Sequence, residues 1–357
     1  MLKIVTVVGA RPQFIKAATV SRAIRSRSGI EEIIVHTGQH FDENMSEIFF
    51  KEMDIPHPTY NLHIESLPHG AMTGRMMEGI EKILLNENPD WVLVYGDTNS
   101  TLAGALAASK LHIKLAHVEA GLRTYNMLSP EEVNRIITDR LSSLLFCPTD
   151  LSVRNLKSEG YDNFSVQIEN SGDVMFDAAL FYSEISQKPD WLESFSPLDN
   201  FVLATIHRAE NTEDLRRLRE IIRALNEINK SVPVILPLHP RTKKIIDASE
   251  MNLDFKPVDP VGYLEMIYLL KNCEYILSDS GGLQKEAYFF KKSCLILKDE
   301  TEWQELVEHG PNQIVGADYD RIINASRNID VSTGFDQQFY GDGFAAEKIV
   351  NCLQFYI

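Results

Sequence analysis

Three carboxylates in the first half of the chain stand where a proton could be taken from, or returned to, a carbon atom. Asp97 closes the apolar run WVLVYGD, Glu119 closes KLAHVEA ahead of Gly121, and Glu131 follows Pro130 in SPEEVNR. Asp97 and Glu131 also fit bland roles at helix starts, as a cap and as a partner for the helix dipole. Glu119 has no such role, because it ends a strand-like run. General acid/base work needs acids on one edge of a sheet, and several converging there count for more than each singly.

A second set of residues suits phosphate. In Gly9-Ala10-Arg11-Pro12-Gln13-Phe14-Ile15-Lys16, Gly9 lets the chain turn and Pro12 suits a first helical turn. Arg11 and Lys16 then lie near a helix N-terminus, where an anion is well held. Farther on, His207-Arg208, His239-Pro240-Arg241 and Asp279-Ser280-Gly281-Gly282 each close an apolar run. A histidine after a strand is more often structural than catalytic, but three such ends in one half strengthen each other. Ser280-Gly281-Gly282 offers free backbone N–H groups, and Glu286, one helical turn inside, can accept from a ribose diol. The DSGG segment also resembles the nucleophile of trypsin-like proteases. Those are antiparallel barrels, whereas this serine follows a buried parallel strand.

The elements that must position these groups are legible as apolar runs. KIVTVVG (3–9), EIIVHTG (32–38), WVLVYGD (91–97), KLAHVEA (114–120) and LLFCPT (144–149) are continuous rather than alternating, which predicts parallel strands covered on both faces. Helical spacing fills 98–110 and 130–143. The pattern then repeats with FVLATIH (201–207), PVILPLH (233–239), EYILSDS (274–280) and SCLILKD (293–299), separated by helical stretches at 214–229 and 263–272. The segment 181–200 reads as the end of a connecting helix and a linker. The expected fold is α/β with two Rossmann-like, doubly wound parallel-sheet domains facing a cleft, 1–175 carrying the acids and 176–342 the phosphate cradle. A C-terminal helix at about 343–357 is free to pack back on the first. A nucleoside diphosphate sugar suits such a cleft, its diphosphate on the second domain and its sugar facing the acids.

Composition narrows the function. The 357 residues carry 35 Lys and Arg against 51 Asp and Glu, a net charge of −16, which argues against a general nucleic-acid binder. The chain has 44% hydrophobic and 24% charged residues, as ordinary globular proteins do. Neither GxGxxG nor a Walker A sequence is present, so an NAD or ATP loop has no support. Cys147, Cys273, Cys294 and Cys352 make no CxxC pair, so neither zinc nor a disulfide framework is expected, and a reducing cytoplasm is the natural setting. No apolar stretch reaches the ~18 residues of a membrane span, and the one before Gly9 is too short for a signal peptide.

Eight segments in order, GARPQFIK (9–16), HTGQH (36–40), GDTNSTLAGALAA (96–108), HVEAGLRT (117–124), SPEEVNR (129–135), HRAEN (207–211), HPRT (239–242) and SDSGGLQKEA (278–287), resemble the non-hydrolysing UDP-N-acetylglucosamine 2-epimerase family over essentially the whole chain. The resemblance implies a glycosyltransferase-B fold and an isomerase that eliminates UDP across C1 and C2, then returns it with C2 inverted. It implies no cofactor and no metal, a UDP-sugar as the small-molecule partner, and a homodimer. By motif, Asp97, Glu119, Glu131 and His207 form the catalytic set. Arg11, Lys16, His207, Met266, Ser280, Gly281, Gly282 and Glu286 bind the UDP-sugar, with Met266 where an aromatic commonly covers the uracil. Gln39, His40, Arg75, Arg208 and His239 match positions that bind a second, activating UDP-GlcNAc in some members. The sequence departs from many members in reading ARPQ for TRPE. With Met266 and HGAMTGRMM (69–77), this resembles the branch acting on UDP-2,3-diacetamido-2,3-dideoxyglucuronic acid in surface polysaccharide (lipopolysaccharide O-antigen) synthesis. A uronate needs a cation or donors, for which Arg123 and Arg75 are the candidates.

Two other functions share parts of this pattern. A retaining UDP-sugar glycosyltransferase of the same fold would need an acceptor to turn over and has no use for three acids. A non-catalytic sugar-nucleotide sensor would keep the cradle and dispense with Asp97 and Glu131.

Overall fold

A computed structural model of the protein describes residues 1–39, 57–195, 200–249 and 251–356, with Arg11 described by its backbone only. The chain divides into two units, Met1–Ala178 with Phe339–Ile357, and Ala179–Gln338.

In the first unit the described strands are β1 (Leu2–Val8), β2 (Ile30–His36), β3 (Tyr60–Asn61), β4 (Trp91–Tyr95), β5 (Lys114–Val118), β6 (Leu144–Cys147) and β7 (Gln167–Asn170). They form a parallel sheet in the order β3-β2-β1-β4-β5-β6-β7. Val5 pairs with Ile33 on one side and Val92 on the other. The central strands are largely apolar because helices cover both faces. On one face Val5, Val7, Val92 and Val94 meet Met76, Ile80 and the alanines of the helix Asn99–Lys110. That helix comes close because it is built of small residues: a Cβ on Gly104 would lie 3.0 Å from Val94 Cγ1.

The helix Ala345–Phe355 completes this unit. Asp177 accepts from the N–H groups of Ala345 and Ala346, and Arg27 donates to Asn351 at 2.6 Å.

In the second unit β8 (Val202–Thr205), β9 (Val234–Ile235), β10 (Ile276–Ser278), β11 (Cys294–Ile296) and β12 (Gln313–Ile314) form a parallel sheet in the order β12-β11-β10-β8-β9. Its core joins Val202, Ala204, Leu277 and Leu295 to Leu218, Ile221, Ile222 and Leu225 of the helix Leu215–Asn229. Two parallel-sheet α/β units of this kind make a fold of the glycosyltransferase-B type.

Each sheet reverses its winding once, between β1 and β4 in the first unit and between β8 and β10 in the second. Ligands of such sheets bind beyond the carboxyl ends of the strands at that reversal. The residues following β1 and β4 are Gly9–Lys16 and Gly96-Asp97, and those following β8 and β10 are His207-Arg208 and Asp279–Gly282. Among the described residues no helix is long and apolar enough to cross a membrane.

Candidate active site

At the first reversal, Lys16, on the helix Arg11–Arg25, forms an ion pair with Glu119, both side chains about nine-tenths buried. Glu119 adopts a left-handed backbone (φ 73°), costly for a residue with a side chain, and its N–H donates to Phe146 O at 3.1 Å. This bend turns the carboxylate from the end of β5 towards Lys16. Gly96, at φ 62°, lies beneath the pair: a Cβ there would meet Lys16 Nζ at 3.1 Å and Glu119 Oε2 at 3.2 Å.

Asp97 follows. The helix cap beyond it is Thr98, which accepts from Thr101 N, so capping does not occupy Asp97. Burial pushes the Asp97 pKa above the usual carboxylate range, opposed by Arg135 and Lys16 and assisted by repulsion from Glu119 and Glu131. The three sequence-selected acids therefore share one electrostatic environment. Arg135 Nη2 lies 3.7 Å from Asp97 Oδ2, and Asn134 Nδ2 donates to Asp97 O at 2.8 Å.

The helix Pro130–Leu141 supplies most of this support. Glu131 is exposed and accepts from Ser129 Oγ at 2.6 Å. Its neighbour Glu132 is fully buried and accepts from the N–H groups of Thr124 and Tyr125, tying down the loop after β5. Asp139 accepts from His117 Nδ1 at 2.6 Å, Gly121 N at 3.1 Å and Arg123 Nη1 at 2.7 Å. Positions 131, 134, 135 and 139 share one helical face. Arg135, Asn134 and Asp139 were not singled out from the sequence, although that polar i, i+3, i+4, i+8 spacing carries the signal.

Gln13 is a latch. It is buried, its Oε1 accepts from Gly9 N and Ala10 N at 2.9 and 3.0 Å, and its Nε2 donates to Tyr95 O and Thr101 Oγ1 at 2.8 and 2.9 Å. One amide thus ties the end of β1 to the end of β4.

At the second reversal, Asp279 is buried and accepts from His207 N, Arg208 N and Asn211 Nδ2 at 3.0 to 3.2 Å. The His207 ring, 44% exposed, has Nδ1 3.3 Å from Asp279 Oδ1. Burial lowers its pKa, as do Arg208 and His239, against the pull of Asp279. Ser280 caps the helix Gly281–Phe289 by accepting from Leu283 N, and Gly281 is held by Trp303 Nε1 donating to its carbonyl at 2.9 Å. Glu286 is buried one turn in and accepts from Tyr263 Oη at 3.3 Å. Tyr263 opens the helix Tyr263–Asn272, which carries the half-buried Met266.

The remaining candidates scatter. Gln39 accepts from Ser100 N and Oγ beside Gly9. Arg75 is exposed on the helix His69–Glu87, 3.6 Å from Glu78. His239 caps the helix Pro240–Ala248, and with Arg208 it acts on His207. His40 lies outside the described residues, as does the Arg11 side chain. Arg123 is not available to a uronate: its guanidinium is fully buried, bonded to Asp139 and, at 2.7 and 2.9 Å, to Glu159. Gln13, which marked the departure from TRPE, likewise faces backbone. A cavity of about 860 Å³ in the second unit, lined by Trp191, Phe195, Met251, Phe255 and Val258 among others, includes none of the motif residues.

A family model described as UDP-N-acetylglucosamine 2-epimerase matches residues 22–354. The chain is 54% identical over 354 residues, 99% of each protein, to the UDP-2,3-diacetamido-2,3-dideoxy-D-glucuronate 2-epimerase of Pseudomonas aeruginosa. It is 41% identical, again over 99% of each, to the UDP-N-acetylglucosamine 2-epimerase of Methanocaldococcus jannaschii. Among solved structures, that of the M. jannaschii UDP-GlcNAc 2-epimerase in complex with UDP-GlcNAc and UDP superposes with a TM-score of 0.86 at 42% identity, covering 99% of both chains. The Neisseria meningitidis UDP-GlcNAc 2-epimerase bound to UDP-GlcNAc gives 0.87 at 32% identity, covering 99% of this chain and 100% of that one.

Proposed function

We propose that this chain, which belongs to the UDP-N-acetylglucosamine 2-epimerase family and is an isomerase of the non-hydrolysing UDP-sugar 2-epimerase type, prefers UDP-2,3-diacetamido-2,3-dideoxy-D-glucuronate over UDP-GlcNAc. The observation that carries this preference is the 54% identity over nearly the whole of both chains to an enzyme named for that sugar, against 50% and 41% to proteins named for UDP-GlcNAc.

The chemistry sets the roles. The C2 proton is scarcely acidic, so it leaves only as the diphosphate departs, which calls for a base at C2 and cations on the leaving group. Asp97 is the base: its raised pKa brings it nearer to working pH than an ordinary aspartate. Glu119 and Glu131 complete the acid/base set, because inversion requires proton delivery to the opposite face. Lys16 and Arg11 serve the departing diphosphate, and His207, its pKa lowered by burial and by Arg208 and His239 against the pull of Asp279, acts beside them. Ser280 and the N–H groups of Gly281 and Gly282 hold phosphate, Glu286 the ribose, and Met266 covers uracil. The enzyme works as a homodimer in the cytoplasm, a setting that suits its three buried free thiols, Cys147, Cys273 and Cys294. Gln39, His40, Arg75, Arg208 and His239 are the positions for an activating second nucleotide sugar.

The test is turnover of each sugar by the purified protein in D2O without NAD. Deuterium at C2 of the epimer, with the diacetamido uronate favoured in kcat/KM, is the expected result, since buried polar groups left unpaired by the wrong substrate can cost orders of magnitude. Retained C2 protium would overturn the elimination route, and equal use of both sugars would overturn the preference alone.

A further inference from the structure

Two arginines near the carboxyl end of β5 have side chains more than nine-tenths buried, and only one of them has spent its donors. Arg123 donates through Nε, Nη1 and Nη2 to Glu159, Asp139 and the Leu122 carbonyl, at 2.7 to 2.9 Å. Arg135, on the helix Pro130–Leu141, makes no hydrogen bond among the described residues. Its Nε is sealed from solvent and lies 3.3 Å from Glu132 Oε2 without bonding to it, and its Nη2 stands 3.7 Å from Asp97 Oδ2, beyond hydrogen-bond reach. A guanidinium has five donors and no acceptor, and buried donors are seldom left unused.

The two flanking carboxylates are held where they are. Glu132 is buried and accepts from Thr124 N and Tyr125 N, and the Asp97 carbonyl is fixed by Asn134, the residue next to Arg135. Relaxation towards Arg135 would give up those bonds, so the acceptor it lacks must come from a ligand. The guanidinium is open to one: Asp97, beside Nη2, keeps 36% of its side chain exposed. The acceptor's identity follows from its neighbour. A base that takes the proton of C2 has the substituents of C2 within a few ångströms, and the acetamido group there ends in a carbonyl oxygen. A C6 carboxylate lies across the sugar ring from C2, and the diphosphate has Lys16 and Arg11.

We propose that Arg135 recognises the 2-acetamido group of the substrate, its Nη groups donating to the acetamido carbonyl and so presenting the C2 hydrogen to Asp97. Arg135 thereby selects sugars acylated on nitrogen at C2 over plain hexoses. It does not choose between UDP-GlcNAc and the diacetamido uronate, which share that group. This rests on the reading of Asp97 as the acceptor of the C2 proton.

The test is calorimetric binding of UDP, UDP-glucose and UDP-GlcNAc to the full-length protein, the two sugars differing only in hydroxyl against acetamido at C2. Wild type should bind UDP-GlcNAc the more tightly. In Arg135→Gln the ratio of the two affinities should shrink by about 10- to 100-fold, the worth of a hydrogen bond from a charged donor. UDP itself should bind within about twofold of wild type. Arg135→Lys, which keeps the charge and loses the planar fork, should narrow the ratio as well. An unchanged ratio in folded Arg135→Gln, or no preference in wild type, overturns the proposal. Failure of both variants to fold, or a loss of UDP affinity as large as that of UDP-GlcNAc, would make Arg135 scaffold and overturn it too. Full turnover by Asp97→Asn, by contrast, would remove the reading of Asp97, whereas an unchanged ratio removes the present inference alone.

Discussion

Two aspartates occupy matching places in the two sheets, and they are chemically opposite. Asp97 follows β4 and Asp279 follows β10, each beside the reversal of its own sheet. Asp279 has no exposed surface, and its oxygens accept from two backbone N–H groups and the Asn211 amide. Asp97 keeps 36% of its side chain exposed, and among the described residues no hydrogen bond reaches its carboxylate, the Arg135 guanidinium standing off at 3.7 Å. A saturated carboxylate is a building element. One with unfilled lone pairs and a raised pKa is poised to accept a proton. On the proposed reading, the same position in the same kind of sheet serves as machinery in one unit and scaffold in the other, and the donor count tells them apart.

Substitution should separate the two most sharply. Asp97→Asn should lower turnover by about 10²- to 10⁴-fold, the range for losing a general acid or base. UDP affinity, read by calorimetry, should stay within about twofold because the proposed UDP-binding set lies in other residues. Wild-type turnover would return Asp97 to the scaffold class. Asp279→Ala should show the reverse pattern. It orphans the donors at His207, Arg208 and Asn211, each worth about 1–3 kcal/mol when buried and unpaired. The denaturant midpoint of the second unit should drop and UDP binding should weaken with it, and an unshifted midpoint would refute the saturation argument.

A smaller effect follows from pH. As the proposed base, Asp97 works ionised, so kcat/KM should fall as pH drops through its raised pKa, on an acid limb above the ordinary ~3.9, and Asp97→Asn should abolish that limb. For stability the sign is opposite. A native pKa above the unfolded value means the ionised form costs stability once pH exceeds the native pKa. Asp97→Asn should therefore unfold at an equal or slightly higher midpoint than wild type at neutral pH, and the gap should close below ~3.9. A variant less stable than wild type at neutral pH would show that Asp97 is structural.

Much of this contrast was legible in the sequence. The apolar runs at β1, β2, β4, β5 and β6 announced buried parallel strands, and Glu119 stood out because nothing in a strand end requires an acid, while Asp97 and Glu131 gained weight by converging with it. The edge strands β3, β7 and β12 were not legible, since β7 reads QIEN, with one apolar residue, and exists through its pairing with β6. PVILPLH shortened to Val234–Ile235 because Pro233 and Pro237 lack the N–H a ladder needs, and Pro237 keeps only an isolated bridge to Val258. Donor saturation was hidden altogether. Asp279 closes an apolar run just as Asp97 does, and Arg123 looked ready for a uronate, since burial and partners at sequence distances of 16 to 72 residues are properties of the folded chain.

Gln13 gives the smallest and most diagnostic expectation. Its place in ARPQ suggested a link to substrate choice, yet its amide spans Gly9, Ala10, Tyr95 and Thr101 and faces backbone. Gln13→Glu keeps both acceptor contacts to Gly9 N and Ala10 N but, once ionised, cannot donate to Tyr95 O. The new carboxyl can restore that bond only by holding its proton, so its pKa in the folded state must rise above the ordinary ~4.3. Stability is then retained at low pH and lost as pH rises through that raised value, by about 1–3 kcal/mol, the cost of a buried group left without its partner. Thermal unfolding of the variant and wild type at several pH values reads this directly. The ratio of kcat/KM for the diacetamido uronate and UDP-GlcNAc should not move, since all four polar contacts of the latch are made within the protein. A changed ratio at unchanged stability would make Gln13 a specificity determinant and show that the boundary between scaffold and machinery in the first unit runs through β1 rather than beyond it.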